Sequence, residues 1–265
     1  MATTQGYVPV NGLKMYYEVH GSGKPLVLLH GGAGATQMYV PIFDQLSERR
    51  QVIAVELQAH GHTADIDRPL SYEMMADDVA GLIKYLKLGQ ADLMGYSLGG
   101  GVALRTAIQH PELVRKLVLV STTFKRNGWY PEVLTAMGQG AENADAMKQS
   151  PMYQAYARVA PRVQDWPVLM KKLAELLKQD YDWSDAVTEL KIPVLLVDGD
   201  ADSVRTAHAV EFFELLGGGK RDAGWDGSGM TYNRLAILPA TTHFTIFSSP
   251  VMVAHANAFL DEASH

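Results

Sequence analysis

The chain has 265 residues, with 23 basic and 29 acidic side chains, a formal charge of −6 and no cysteine. That length supports one large domain with a substantial core, and a composition of 47% hydrophobic and 20% charged residues excludes a disordered chain. The acidic balance argues against a nucleic-acid partner, which needs a basic face, and the missing cysteines exclude disulfides, thiolate metal sites, iron–sulfur clusters and a cysteine nucleophile. No apolar run reaches the length of a membrane span. Residues 1–7 lack the basic and apolar regions of a signal peptide. The expectation is a soluble cytoplasmic protein with no membrane partner.

Residues 13–19 and 25–29 read as strands, separated by the turn Gly21-Ser22-Gly23. Residues 51–55 are the next strand. Residues 71–87 read as a helix, with Ser71 as N-cap and Met75, Val79, Leu82, Ile83 and Leu86 at helical spacing. A strand at 91–96, a helix at 98–109 and a strand at 116–120 follow. Beyond a long interval come strand 193–197, helix 206–216, strand 235–238 and helix 250–260. This alternation predicts an α/β fold, a mostly parallel central sheet of about eight strands flanked by helices on both faces.

The interval, residues 124–190, shows no strand pattern. It carries helical segments at 130–139, 144–160 and 166–179, broken by Pro131, Pro151, Pro161 and Pro167. It also holds Trp129, Trp166 and Trp183 with several Met and Tyr, a composition suited to adaptable apolar contacts. It is expected to be a helical cap inserted into a core domain of residues 1–123 and 191–265. The glycine-rich stretch 217–229 is expected to be a surface loop.

Gly95-Tyr96-Ser97-Leu98-Gly99 is a G-x-S-x-G string placed where an apolar strand meets an apolar helix. A sharp strand–turn–helix exposes the serine hydroxyl, and the flanking glycines remove side chains that would collide. Ser97 is therefore the candidate nucleophile.

This arrangement resembles the α/β-hydrolase superfamily along nearly the whole chain. His30-Gly31-Gly32 is similar to its oxyanion-loop motif, and His60-Gly61-His62 to its H-G turn. The run 95–101, leading on to His110-Pro111-Glu112-Leu113-Val114, is typical of the family, as is Gly199-Asp200-Ala201-Asp202. The resemblance implies an α/β-hydrolase fold and the chain order Ser, acid, His. His243, after the last strand, takes the position of the base. His20, His110, His208, His255 and His265 lie elsewhere in the pattern. His30, His60 and His62 lack a helical metal-ligand spacing, so no metal is expected. The acid is Asp202 or Asp200; the family's G-x-x-D pattern selects Asp202 and leaves Asp200 to structure the loop. Asp198 is still within the strand. The oxyanion donors implied are the backbone amides of Leu98 and Gly32. Tyr96, Trp129, Tyr130, Met152, Tyr153 and Phe244 are the candidate substrate contacts of an apolar pocket.

For this residue set the resemblance implies a small-molecule ester or lactone as substrate and no cofactor. Serine at the elbow argues against epoxide hydrolase and haloalkane dehalogenase chemistry, whose enzymes use a carboxylate there. Three other reactions share the machinery: cofactor-free perhydrolysis, carbon–carbon bond hydrolysis and removal of an N-terminal proline. Phe244 stands where many carbon–carbon hydrolases have Trp, and Ala33 where the proline peptidases usually have Pro. A slow-turnover ligand receptor is the reading from a different class.

Overall fold

A computed structural model of the chain describes residues 4–263. Its strands are β1 (Thr4–Val10), β2 (Leu13–His20), β3 (Lys24–Leu29), β4 (Arg50–Val55), β5 (Ala91–Tyr96), β6 (Val114–Val120), β7 (Val194–Ala201) and β8 (Arg234–Thr242). They form one sheet in the order β1-β2-β4-β3-β5-β6-β7-β8. β2 runs antiparallel to both neighbours, and every other pairing is parallel. The sheet is thus the mostly parallel one expected.

The helices are α1 (Phe43–Ser47), α2 (Tyr72–Tyr85), α3 (Leu98–Gln109), α4 (Pro131–Gly138), α5 (Pro151–Val159), α6 (Trp166–Lys178), α7 (Ser184–Thr188), α8 (Thr206–Leu215), α9 (His243–Ile246) and α10 (Pro250–Asp261). Ser71 caps α2 by accepting from the Met74 N–H. Pro131, Pro151, Pro167 and Pro250 sit in the first turns of α4, α5, α6 and α10, where the missing N–H costs nothing. None of the described helices is long and apolar enough to cross a membrane.

Alternation along the strands builds two cores, one on each face of the sheet. On β3, Val27 and Leu29 face the layer of α2 and α3, while Leu26 and Leu28 face the layer of α1 and α10. All four are fully buried, each contributing about 1.5–3 kcal/mol relative to exposure.

β1 was not among the strands read from the sequence. It forms a hairpin with β2 through Asn11 and Gly12, both at positive φ (46° and 85°). Asn-Gly is the favoured pair for such a turn. Between β6 and β7 the chain forms α4–α7, with one isolated bridge inside the segment, Lys125↔Asp182, and one from it to the residues after β7, Trp129↔Val204. Trp166 is the apolar centre of this segment, packed by Tyr153 and Tyr156, with its indole N–H donated to the Ala144 carbonyl (2.9 Å). The glycine-rich stretch is an irregular connection from α8 to β8, with Trp225 fully exposed.

Candidate active site

The elbow at Ser97 is built by backbone crowding. A Cβ on Gly95 would lie 2.2 Å from the Gly99 carbonyl oxygen, and one on Gly99 2.3 Å from the Leu29 carbonyl oxygen. Only glycine fits either position, so α3 can start directly against β3 and β5. Ser97 itself adopts φ 53°, ψ −117°, a conformation that costs a non-glycine residue about 1–3 kcal/mol. Its N–H donates to the Val120 carbonyl (2.9 Å), and its own carbonyl accepts from the Thr122 hydroxyl (2.9 Å).

Ser97 Oγ lies 3.1 Å from His243 Nε2, and His243 Nδ1 lies 2.8 Å from Asp202 Oδ1. All three residues are buried. Asp202 also accepts from the Val204 N–H at Oδ1 (3.2 Å), and from the Gly199 N–H (3.1 Å) and the Ser121 hydroxyl at Oδ2. Burial pushes the Asp202 carboxyl up. The hydrogen bond and charge of His243, with the donors Ser121 and Gly199, outweigh it and hold the group below the usual carboxylate range. Asp202 is thus an ionised acceptor aimed at His243 Nδ1.

The two neighbouring carboxyls differ from it. Asp200 is exposed and accepts the Ala240 and Thr241 N–H groups (3.0 and 3.1 Å), tying the β7 end to the β8 end. Asp198 is buried. Desolvation and then the Asp202 charge hold its carboxyl well above the usual range, and its buried Oδ1 has no hydrogen-bond partner.

The loop after β3 brings Gly32 next to Leu98, the first residue of α3. A Cβ on Gly32 would lie 3.9 Å from Leu98 Cβ and 3.7 Å from Leu173 Cδ2 of α6. Two neutral histidines set this loop. His30 Nδ1 donates to the Gly31 carbonyl (2.8 Å) and its Nε2 accepts the Leu57 N–H (3.1 Å). His60 Nδ1 donates to the Gln58 carbonyl (2.8 Å) and its Nε2 accepts the Ala33 N–H (3.1 Å). Burial pushes both imidazoles down, His60 to about 3 with the added repulsion of His30.

The other histidines serve elsewhere. His62 bonds Glu56, His20 bonds Glu18, and His110 bonds Asp77. His208 is buried against Phe124, and His255 is exposed on α10. His265 lies outside the described residues. Among the described residues no group of three or more His, Asp or Glu is arranged to hold a metal ion.

Of the residues singled out as substrate contacts, Trp129 and Phe244 flank His243, each with its ring centroid 5.5 Å from the imidazole. Trp129 is buried and Phe244 is 71% exposed. Tyr96 is placed differently. Its ring packs on His243 and Phe247, and its hydroxyl donates to the His243 carbonyl (2.7 Å). Burial and the Asp202 charge push that phenol up, so it remains a donor. Tyr130 precedes α4, and Tyr153 on α5 packs against Trp166. Met152, also on α5, is partly exposed. Ser121, Thr122 and Leu173 were not read from the sequence. Each reaches the site across a long sequence separation and carries no local signal of doing so.

Residues 24–258 match the family model described as the alpha/beta hydrolase fold. The chain is 34% identical to a proline iminopeptidase of Clostridioides difficile (strain 630) over 140 residues, half of this chain and 48% of that protein. It is 36% identical to a 2-hydroxymuconate semialdehyde hydrolase of Pseudomonas sp. (strain CF600) over 115 residues, 42% of this chain and 41% of that protein. The chain therefore spans about half the length of these curated relatives. Among solved structures, that of E-2-(acetamidomethylene)succinate hydrolase superposes with a TM-score of 0.78 at 22% identity, covering 98% of this chain and all of the other. From the model match over almost its entire length, joined to the sheet order and the serine elbow, the chain belongs to the alpha/beta hydrolase fold family.

Proposed function

We propose that the protein is a serine hydrolase that opens carboxylic esters or lactones through an acyl-enzyme on Ser97. The observation that carries this reading is the buried line from Ser97 Oγ through His243 to Asp202, at 3.1 and 2.8 Å. Ser97 Oγ attacks the carbonyl carbon while His243 Nε2 takes the hydroxyl proton. The carbonyl π pair moves onto oxygen, which the Gly32 and Leu98 N–H groups receive. Such a donor is worth roughly 10²–10³ in rate. Collapse breaks the C–O bond, and the imidazolium returns its proton to the departing oxygen. Water then attacks the acyl-enzyme, giving its proton to His243, and Ser97 leaves reprotonated with the acid released. Asp202 stays ionised throughout and holds the His243 tautomer.

In this reading residues 124–190 act as the cap. Leu173, Trp129 and Phe244 wall the acyl side, with Tyr130, Met152 and Tyr153 further out. The partner is a small molecule, and no step calls for a cofactor. A second reading is carbon–carbon bond hydrolysis, favoured by the similarity to the 2-hydroxymuconate semialdehyde hydrolase. The same site would then protonate a carbon leaving group.

Initial rates on p-nitrophenyl acetate, butyrate and octanoate, γ-butyrolactone and an N-acyl-homoserine lactone test the proposal, with wild type beside Ser97→Ala. The expected result is turnover that falls by about 10⁴–10⁶ in Ser97→Ala. Inactivity of the folded wild type on all five, with turnover of a vinylogous 1,5-diketone acid, would replace the first reading with the second.

A further inference from the structure

One lysine ties α6 to the loop that follows β4. Lys172 Nζ lies 2.9 and 2.7 Å from the two carboxylate oxygens of Asp65, 2.9 Å from the Ile66 carbonyl and 2.7 Å from the Arg68 carbonyl. An ammonium has three protons, so four oxygens at this range saturate it. The side chains of Lys172 and Asp65 are only 16% and 11% exposed. The adjacent Lys171 makes the contrasting case. It reaches Glu175 at 3.8 Å with both partners more than half exposed, an arrangement worth little.

The receiving segment is itself fixed. Gln58 Nε2 donates to Asp65 Oδ1 (2.8 Å) and to the Arg68 carbonyl (3.1 Å), and Arg68 Nε donates to Gln58 Oε1 (2.6 Å). Arg68 also pairs with Asp78 of α2. The Gln58 carbonyl accepts from His60, which in turn accepts the Ala33 N–H of the oxyanion loop. Leu173, the next residue on α6, lies against Gly32. Polar contacts therefore run from the oxyanion loop through His60, Gln58 and Asp65 to Lys172, and Leu173 closes the circuit by apolar contact.

We propose that Lys172 is a positioning residue: its clamp on Asp65, Ile66 and Arg68 holds α6 so that Leu173 seals the Gly32 side of the oxyanion site from water. The inference rests on the reading of Ser97 as the nucleophile. Oxyanion donors act most strongly in a site that is dry and already ordered, so loosening α6 weakens them at the chemical step rather than at substrate binding.

The test compares wild type with Lys172→Met, Lys172→Arg and Asp65→Asn. It uses p-nitrophenyl acetate turnover, Ser97 labelling by a fluorophosphonate probe, and amide hydrogen exchange. In Lys172→Met, kcat should fall tenfold or more with KM within threefold. The α6 amides should exchange at least tenfold faster, while those of α3 and β5 are unchanged. Lys172→Arg, which keeps the charge and the donors, should stay within threefold of wild type. Asp65→Asn keeps the side-chain shape and should move in the same direction as Lys172→Met, which covers a methionine variant that fails to fold. Wild-type exchange in α6 in both clamp variants would overturn the proposal, as would faster exchange with unchanged kcat. A wild type with neither Ser97-dependent turnover nor a fluorophosphonate label would overturn the ester reading instead, and α6 exchange would still decide the clamp.

Discussion

Replacing His60 by glutamine keeps an acceptor for the Ala33 N–H and removes a titratable group from beneath the loop that follows β3. His60 is fully buried, and burial with the neighbouring His30 takes its imidazole from 6.5 to about 3. Between those two values the unfolded chain binds a proton that the folded chain does not. Stability must therefore fall as the pH drops from about 6.5, and the loss from this group ends near 3. The linkage relation gives a loss of about 0.2 kcal/mol at pH 7 and about 2 kcal/mol at pH 5. With a urea slope of about 3 kcal/mol per molar for a domain this size, that is a midpoint shift of roughly 0.6 M. His208, buried and also taken to about 3, adds a loss of its own. It is present in both proteins and cancels in the comparison. Urea melts of wild type and His60→Gln at pH 7 and pH 5 measure the difference directly. The wild-type midpoint should drop by about 0.6 M more than that of the variant. Parallel drops in the two proteins would show that His60 titrates freely in the fold and would refute the reasoning.

Three further variants probe the proposed Ser97–His243–Asp202 triad and its support. Asp202→Asn removes the charge facing His243 Nδ1 and should lower kcat by about 10⁴, whereas Asp200→Asn loosens only a loop and should lower it less than tenfold; steady-state rates on one ester decide the ranking. Tyr96→Phe leaves the buried His243 carbonyl without its donor, at a cost of about 1–3 kcal/mol in thermal or urea unfolding, and should lower kcat more than it changes KM. An unchanged stability would show that the 2.7 Å contact contributes nothing.

What was legible in the sequence was local. The elbow could be read because strand, turn, glycines and helix all fall within about a dozen residues, and the parallel sheet because its strands are continuous apolar runs. β1 escaped because Gly6, Pro9 and exposed polar residues break its pattern, although its Asn11-Gly12 turn was a usable hairpin signal. Asp200 and Asp202 could not be separated by strand periodicity, since residues two apart share a face. The irregular register of β7 against β8 between Gly199 and Ala201 accompanies their separation. After it one carboxylate turns inward to His243, while the other bonds the β8 backbone. The contacts of Ser121 with Asp202, of Leu173 with Gly32 and of Lys172 with Asp65 depend on packing across the fold. No short window of sequence encodes them.

The placement of the strained and unpaired groups follows from the same packing. The positive φ of Ser97 and the unpartnered buried Oδ1 of Asp198 each cost free energy. A costly conformation persists only where the surroundings over-determine it. Ser97 and Asp198 lie on or just after β5 and β7, and β3 and β6 flank β5 in the sheet interior, where Leu28, Leu93, Val118 and Val197 are fully buried. His243 lacks that advantage. It follows β8, an edge strand whose residues are mostly half-buried or exposed. Two local devices compensate. Thr242 and Thr245 form a reciprocal cap at the start of α9. Tyr96, from the central strand β5, donates its hydroxyl to the His243 carbonyl. Tyr96, the residue that precedes Ser97, thus anchors His243, so the same strand end fixes both partners of the 3.1 Å contact on which the proposed proton transfer depends.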